Sequence, residues 1–245
     1  MSGEETIDLA DIPQDQPSSA RSYGWALGSK DNYESDRQGL LMTLQVFPES
    51  VDTAREQRRF LYRAVRYLAR EAGIRQFLDM GCGLPIENNV HQVAQSFTPD
   101  AAVVYVDIDP VVLAHGRALL ADNDRTTVIN ADFGDQEAIL DHPDTRRLID
   151  FDEPLAVLFF SVAHHMPDAH DPRRLLHTVI DRAVPGSYLA LSQVVSDDLS
   201  RSAELDEIIN GGGVPWQTRT PAQVDALVDD LEPVEPGLVE LERWR

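Results

Sequence analysis

The chain has 245 residues, 42% of them hydrophobic, which suffices for one domain with a core or for one domain with a small appendage. A formal net charge of −21 disfavours nucleic acid and anionic membrane surfaces as partners, because such partners are bound through clustered positive charge. The single cysteine excludes an intrachain disulfide and no apolar run approaches the roughly 20 residues of a membrane helix, so we expect a cytoplasmic protein with no membrane partner.

The N-terminal region is predicted to consist of two parts. Residues 1–20 are polar and acidic and lack the basic and apolar stretches of a secretory signal, which predicts a disordered or loosely docked arm. Residues 21–72 are predicted to be a helical segment. Within it, GSKDNYESDR (28–37) concentrates polar groups with several hydrogen-bonding options. We interpret this stretch either as a lid over a ligand, with Tyr33 or Asn32 touching the ligand, or as the start of a helix with Asp31 or Ser29 as N-cap.

Residues 51–72 are predicted to form one helix. Apolar residues recur at helical spacing from Phe60 to Leu68, and Gly73 provides a stop. A cluster of arginines, spaced mostly three to four apart, is predicted to lie on a solvated face of this helix. These arginines are Arg55, Arg58, Arg59, Arg63, Arg66, Arg70 and Arg75.

Strands and helices alternate in the remaining domain, residues 73–245, which predicts a parallel sheet covered on both faces. The predicted strands are 76–80, 102–109, 126–130, 155–162 and 188–195. The predicted helices are 87–97, 110–121, 172–183 and 221–230, the last with Thr220 as N-cap and Pro221 at its first position. Residues 238–244 are predicted to add an antiparallel edge strand. The expected fold class is therefore α/β, a Rossmann-like doubly wound sheet, mostly parallel, with an N-terminal helical lid.

A glycine-rich loop follows the first predicted strand, in the sequence LDMGCGLPIENN (78–89). Gly81 and Gly83 let the backbone come close to a ligand at the carboxyl edge of the sheet. A dinucleotide-binding loop would carry a third glycine where Ile86 stands, which disfavours a nicotinamide cofactor. Such a loop is also followed, about 20 residues on, by an acid. Asp107 meets that requirement, so this feature fits a dinucleotide and other nucleosides alike.

Acidic residues stand at the ends of three successive predicted strands. Asp79 suits an ammonium group, Asp107 suits two ribose hydroxyls, and Asp132 suits an adenine amino group, with Phe133 beside it for the face of the ring. Each of them alone is common in turns that follow strands. Together, and without a complete pyrophosphate loop, they favour S-adenosylmethionine as the cofactor.

The same residues carry a resemblance to a known family. The run from Asp79 to Phe133 resembles the class I S-adenosylmethionine-dependent methyltransferases, and the chain past residue 20 is similar to an actinobacterial S-adenosyl methyltransferase family formerly called a domain of unknown function. The similar segments are GSKDNYESDR (28–37), FLDMGCGLPIENNVHQVAQ (77–95), VVYVDIDPVVLAHGRALL (103–120), AHHMPD (163–168), PGSYLALS (185–192) and EPGLVELERW (235–244). The resemblance implies a class I methyltransferase fold, S-adenosyl-L-methionine as cofactor and a lid function for the 28–37 segment. Cys82 stands where the family often has threonine.

The remaining candidate residues follow from this assignment. Asn89, Ile108 and Ser161 are also expected to contact the cofactor. Methyl transfer requires alignment of the reactants and exclusion of water rather than a catalytic triad. Where the acceptor must lose a proton, His164 and His165, which follow the fourth strand, are the candidate bases, although either could instead pack or bind a loop carbonyl. No metal is predicted, because this loop lacks a familiar ligand spacing.

The sequence therefore predicts S-adenosylmethionine-dependent methyl transfer to a small-molecule acceptor, in specialised metabolism, without a nucleic-acid partner. A homodimer is the default expectation for an oligomer. Two alternatives remain open at this point. One is an enzyme that binds S-adenosylmethionine for non-methylating chemistry, and the other is a non-catalytic cofactor-binding module.

Overall fold

The computed structural model describes residues 12–119 and 123–245. Most of the expected arm, residues 1–11, lies outside the described residues. In the described remainder of that arm, Ile12 is buried in a small apolar cluster, residues 13–16 are exposed, and the first helix begins at Ser19.

Five parallel strands form the sheet, in the order β3-β2-β1-β4-β5. They are β1 (Gln76–Met80), β2 (Ala102–Asp107), β3 (Thr126–Asn130), β4 (Ala156–Phe160) and β5 (Tyr188–Ser192). The bounds of β1 and β3 agree with the prediction, whereas β2, β4 and β5 end two to three residues earlier than expected. The direction of strand order reverses between β1 and β4, and such a switch point opens a crevice beyond the carboxyl ends of the strands.

Helices cover both faces of the sheet, which is why β1, β2 and β4 are buried along their whole length. Successive side chains point to opposite faces: Phe77 joins the core beneath the third helix, while Leu78 joins the core on the other face. The helices are α1 (Ser19–Ala26), α2 (Glu34–Val46), α3 (Ser50–Arg66), α4 (Val90–Phe97), α5 (Pro110–Leu119), α6 (Gln136–Asp141), α7 (Pro143–Leu148), α8 (Pro172–Ile180), α9 (Leu199–Gly211) and α10 (Pro221–Asp225).

Several helix termini follow the predicted signals. Helix α3 continues into a π-helical turn, Tyr67–Glu71, and the chain turns at Gly73, where φ is +74°. Helix α10 has Thr220 as its N-cap, with the threonine side chain accepting from the Gln223 amide. The short helices α6 and α7 and the longer α9 were not predicted from the sequence. None of the helices in the described ranges combines the length and the apolar character that spanning a membrane requires.

The predicted antiparallel edge strand at 238–244 is wrong. Leu241–Arg243 form a 3-10 turn, and the described sheet is parallel throughout. The carbonyls of Leu241 and Trp244 accept from the Arg63 guanidinium instead of from a neighbouring strand. The Trp244 ring packs edge-on against Phe60 and Tyr67, with centroid distances of 5.5 and 5.9 Å. Aromatic packing on helix α3 thus replaces strand pairing here.

A buried ionic network joins the N-terminal helices to the end of β2. Arg21 on α1 places its Nε 2.8 Å from Asp36 Oδ2 on α2 and its Nη1 3.1 Å from Asp109 Oδ2, just after β2. The three residues are 4%, 0% and 7% exposed, respectively. The amides of Ser18 and Tyr33 also donate to Asp36, so its carboxylate is fully hydrogen-bonded. This network fixes α1 and α2 over the carboxyl edge of the sheet.

Candidate functional site

A cavity of about 1260 Å³ lies over the carboxyl edge of the sheet. Its floor is formed by the loops that follow β1, β2, β3 and β4, and its walls come from α1, α2, α3 and the segment around α9. Ligand pockets commonly measure roughly 300–1,000 Å³, so this cavity has room for a cofactor together with a second molecule.

The glycine-rich loop forms one end of the cavity in a conformation that L-residues rarely adopt. Gly81 has φ +73° and Gly83 has φ +66°. The amides of Gly81 and Cys82 both donate to the carbonyl of Val106, at 2.8 and 3.1 Å. The Gly83 amide donates to Asp107 Oδ2 at 2.8 Å, which joins this loop to the end of β2. Both glycines line the cavity, as the sequence predicted.

Replacing Gly81 with alanine should destabilise the protein by about 2–4 kcal/mol, because the substitution combines positive-φ strain with overpacking. A Cβ at this position would lie 2.5 Å from Val162 Cγ1. Gly83→Ala is the matched control, since φ there is also positive but no atom lies within 4 Å of the added carbon. Urea unfolding of the two variants should show the larger loss for Gly81→Ala. Equal losses would mean that the contact with Val162 is unimportant.

Two buried carboxylates stand where β1 and β2 end. Asp79 is 4% exposed, and no described residue donates a hydrogen bond to its carboxylate; Asp107 is 8% exposed and accepts from the amides of Gly83 and Asp109. Burial raises the pKa of Asp79 to about 7, with Arg58 opposing the shift and Asp107 adding to it. Burial likewise raises the pKa of Asp107 to about 6, against the effect of the backbone amides that donate to it.

The raised pKa of Asp79 affects the stability of the ligand-free protein. In the unfolded chain this carboxyl group loses its proton near 3.8, whereas in the folded protein it keeps the proton to about 7. Between these values the folded state binds more protons than the unfolded state, so this group makes the protein less stable as pH rises through the window. A positively charged ligand beside Asp79 would reverse that effect.

The other predicted residues at this end also line the cavity. Asp132 is exposed and accepts from the Gly134 amide at 2.7 Å, which orders the loop after β3. Phe133 is half-buried against the core, and Ile108 is 63% exposed, an unusual state for a large apolar side chain. Asp79, Asp107 and Asp132 thus converge on one crevice, together with Ile108 and Phe133.

Two of the predicted contact residues lie outside the cavity lining. Tyr33 packs beside the small cluster that contains Ile12, and its ring lies 5.1 Å from the Arg21 guanidinium. Asn89 is the N-cap of α4, and its side chain accepts from the Ile86 amide at 3.1 Å. Ser161 does line the cavity, with φ +59°, and its amide donates to the Ser192 side chain.

The two histidines after β4 have different surroundings. His164 is buried, its ring is stacked 3.8 Å from the Trp216 ring, and its Nδ1 accepts from the Val194 amide. Burial lowers the pKa of His164 well below its ordinary value, and repulsion from His165 when that ring is protonated lowers it further. His164 also lines the cavity, and its ring is neutral at neutral pH.

His165 presents a basic nitrogen at the cavity wall. Its Nδ1 lies 2.7 Å from the carbonyl of Pro215, which can only accept, so Nδ1 carries the proton. Its Nε2 then accepts from the hydroxyl of Ser19 at 2.8 Å. Burial lowers the pKa of His165, so the imidazole is neutral at neutral pH and can take up a proton at Nε2. Both His165 and Ser19 line the cavity.

Arg219 holds the turn that carries the two histidines, a role the sequence analysis did not detect. It is 1% exposed and donates to the carbonyls of Ala163 and Met166, on either side of the histidine pair. Its guanidinium also lies 2.8 Å from Asp168 Oδ1. Arg219 follows these residues by more than 50 positions in the chain, so no local pattern indicates the contact.

The predicted solvated face of arginines requires a correction. Arg55, Arg59 and Arg75 are exposed as expected, but Arg58 lines the cavity and donates to the carbonyls of Glu87 and Asn88. Arg63 binds the C-terminal turn, as described above. The cause is the amphipathic position of these residues: long arginine side chains at the edge of a buried helix face reach neighbouring backbone carbonyls.

Other chemistry has little support at this site. Among residues 12–119 and 123–245 there is no group of histidine, cysteine and acidic side chains that could hold a metal ion. Burial raises the pKa of Cys82 well above its ordinary value, and Asp107 and Asp79 raise it further, which keeps the thiol protonated at neutral pH.

Comparisons with known proteins agree on one family. The profile of a family described as S-adenosyl methyltransferase matches residues 5–245. A crystal structure of a candidate methyltransferase from Thermobifida fusca is 44% identical over 97% of this chain and 90% of that chain, with a TM-score of 0.90. A DUF574 family protein from Streptomyces avermitilis is 35% identical over 94% and 89%, also with a TM-score of 0.90.

More distant structures share the fold alone. An O-methyltransferase family 2 protein from Planctomyces limnophilus, crystallised with apigenin, is 16% identical over 87% of this chain and 61% of that chain, with a TM-score of 0.50. No protein of curated function has a significantly similar sequence.

Proposed function

The chain belongs to the S-adenosyl methyltransferase family and is an S-adenosylmethionine-dependent methyltransferase, and on that premise we propose that it methylates a small, largely apolar molecule at a group that loses a proton. The observation that carries this proposal is the arrangement of the cavity: acidic residues converge at one end, and a neutral histidine faces the same space with its basic nitrogen. A nucleic acid is a poor candidate acceptor because of the net charge of −21.

The donors and acceptors at the acidic end fit the cofactor. Asp107 would hold the ribose hydroxyls, Asp132 and Phe133 would hold the adenine ring, and Asp79 would hold the ammonium group. When bound, S-adenosylmethionine provides an electrophilic methyl group on a sulfonium sulfur. A dinucleotide fits less well, because Ile86 occupies the position of the third glycine of a pyrophosphate loop.

The rest of the cavity supports an acceptor of modest polarity. Its walls include Leu40 and Phe47 near α2, and Ile208 and Trp216 near α9. Apolar walls with a few convergent polar groups are typical of small-molecule sites. Helices α1 and α2 carry part of this wall, and we assign them the lid function predicted for the N-terminal segment.

His165 is the proposed base, and Ser19 is its hydrogen-bonding partner on the lid. The Pro215 carbonyl keeps the proton of the ring on Nδ1, so Nε2 is free of a proton and faces the cavity wall. A proton leaving the acceptor can reach Nε2 through the Ser19 hydroxyl, which donates to Nε2 and can accept in turn. The surrounding walls exclude water and hold the acceptor in line.

The direct test is a screen for S-adenosylhomocysteine formation. Purified protein is incubated with S-adenosylmethionine and a panel of phenols, amines and enolisable carbonyl compounds, and both products are detected by mass spectrometry. Equimolar S-adenosylhomocysteine and methylated acceptor are expected for at least one small molecule. Turnover with an RNA or protein substrate alone would contradict the small-molecule acceptor.

Cofactor affinity should depend on pH through Asp79. A positively charged ligand favours the ionised form of the Asp79 carboxyl group. Binding at a pH below the pKa of about 7 must therefore release the proton of Asp79. If only the ionised form binds, affinity for S-adenosylmethionine should be roughly 30-fold weaker at about pH 5.5 than at about pH 8. Calorimetry in buffers of different ionisation enthalpy measures both the affinity and the released proton. Asp79→Asn should flatten the profile; an unchanged profile would assign the titration to another group.

A further inference from the structure

Gln57 on helix α3 carries an amide group that the rest of the protein leaves half-satisfied. The residue is 3% exposed and lines the cavity. Its Oε1 accepts from Ser192 Oγ at 2.8 Å, and Ser192 Oγ in turn accepts from the Ser161 amide at 3.0 Å. The Ser161 amide can only donate, so the serine hydroxyl keeps its own proton for the bond to Gln57 Oε1.

The Nε2 group of Gln57 has no acceptor among the described residues. Buried donors are nearly always hydrogen-bonded, since a missing partner forfeits the bond that water would otherwise provide. An unsatisfied buried donor, on a side chain that lines a cavity and whose amide oxygen is already hydrogen-bonded, indicates a ligand acceptor in that cavity.

The next residue, Arg58, contributes a second unused donor. Its Nη2 donates to the carbonyls of Glu87 and Asn88 at 2.7 and 2.9 Å, which fixes the guanidinium beside the glycine-rich loop. Its Nε is buried and has no acceptor among the described residues. Arg58 also interacts electrostatically with Asp79, so a cation and a carboxylate face one end of the same cavity.

We propose that Gln57 and Arg58 bind the α-carboxylate of S-adenosylmethionine, while Asp79 binds its α-ammonium group. This proposal rests on the cofactor assignment made above. A pair of adjacent opposite charges is complementary to a zwitterionic amino acid, and the two unused N–H groups are donors only. A guanidinium is well suited to a carboxylate, and its loop carbonyls hold it in place before the ligand arrives.

The two donors would make the site selective for a cofactor with an intact amino-acid tail. Decarboxylated S-adenosylmethionine keeps the nucleoside, the sulfonium and the ammonium group and lacks only the carboxylate. Hydrogen bonds to a charged group typically account for about tenfold to a hundredfold in affinity each. The wild-type protein should therefore prefer S-adenosylmethionine over the decarboxylated form by roughly 10²-fold.

The test is calorimetric titration of both ligands into the full-length protein and three variants. In Gln57→Leu and Arg58→Leu the preference for S-adenosylmethionine over the decarboxylated form should fall about tenfold or more, because only S-adenosylmethionine carries the carboxylate. Arg59→Leu is the matched control, because Arg59 is adjacent on α3 but 72% exposed and paired with Glu56. It should keep the full preference.

The outcomes separate this proposal from the cofactor assignment. If the wild type binds neither ligand, the cofactor assignment fails. If the wild type binds both ligands equally, or if the variants weaken both ligands by the same factor, the carboxylate site is wrong and the cofactor assignment stands. Gln57→Glu is a second variant that retains the size of the side chain and so avoids a packing defect. Repulsion between the new carboxylate and the cofactor carboxylate should weaken the binding of S-adenosylmethionine and not that of its decarboxylated form. Thermal unfolding of each variant confirms that the protein is folded.

Discussion

Replacing Arg21 with methionine is expected to lower the free energy of unfolding by about 3–5 kcal/mol, because it leaves two buried carboxylates without their cation. Asp36 is fully buried and Asp109 is 7% exposed, and both contact the Arg21 guanidinium. Breaking a buried pair by removing one partner costs far more than breaking an exposed pair, since the remaining charge keeps its desolvation penalty. Urea unfolding followed by circular dichroism measures the loss.

Arg55→Met is the matched control for this prediction. Arg55 and Asp52 form an exposed pair, with side-chain exposures of 60% and 82%, and such pairs contribute about 0–1 kcal/mol. Adding Asp36→Asn to Arg21→Met should recover part of the loss, because it removes one of the two uncompensated charges. A loss below about 1 kcal/mol for Arg21→Met would mean that water or another cation reaches the carboxylates and that the network does not fix the lid.

The sheet and the acidic end of the cavity were largely predictable because their signals are local. Strands β1 and β3 are short β-branched or apolar runs bounded by turn residues, and their bounds agree with the prediction. The convergence of Asp79, Asp107 and Asp132 follows from topology alone: the carboxyl ends of parallel strands share one edge of the sheet. No distance needs to be known to place these three residues together.

The placement of helices α1 and α2 and of the cavity walls depends on contacts between distant segments, which no local pattern encodes. Arg21 has ordinary helical surroundings in the sequence, yet it pairs with Asp109, which lies 88 positions away. The contact predicted between the cofactor and Tyr33 or Asn32 stays a prediction; in the structure the Tyr33 ring lies 5.1 Å from the Arg21 guanidinium, outside the cavity lining. Arg58 and Arg59 share the same helical pattern, and only the proximity of the glycine-rich loop distinguishes them.

The prediction of an edge strand at 238–244 is wrong for a related reason, because contacts with a distant segment determine the structure there. An alternation of apolar and polar residues fits a half-exposed strand and also fits a loop that packs one side onto a helix. Two residues stabilise the observed turn. The Trp244 ring packs beside Phe60 and Tyr67, and Arg63 donates to the nearby carbonyls. Tertiary packing thus overrides the strand propensity of this segment.

His165→Gln is expected to lower kcat by about 10²- to 10⁴-fold toward an acceptor that must lose a proton, because the substitution removes the only basic nitrogen proposed for the reaction. The affinity for S-adenosylmethionine should be unchanged, since the proposed cofactor contacts lie at the acidic end of the cavity. In the wild type, the acid limb of the kcat–pH profile should lie below the ordinary histidine value of 6.5, because burial lowers the pKa of His165. Steady-state kinetics and calorimetric titration measure these quantities.

Three further variants identify what His165 does. His115→Gln is the control: His115 lies on α5, outside the cavity lining, so kcat should be unchanged. Ser19→Ala should lower kcat about tenfold if the hydroxyl passes the proton to Nε2, and should leave it unchanged if the acceptor reaches Nε2 directly. His164→Gln should act mainly on stability, because it disrupts the stack with Trp216. A wild-type kcat for His165→Gln would remove the proposed base and leave alignment as the main contribution of the protein to methyl transfer.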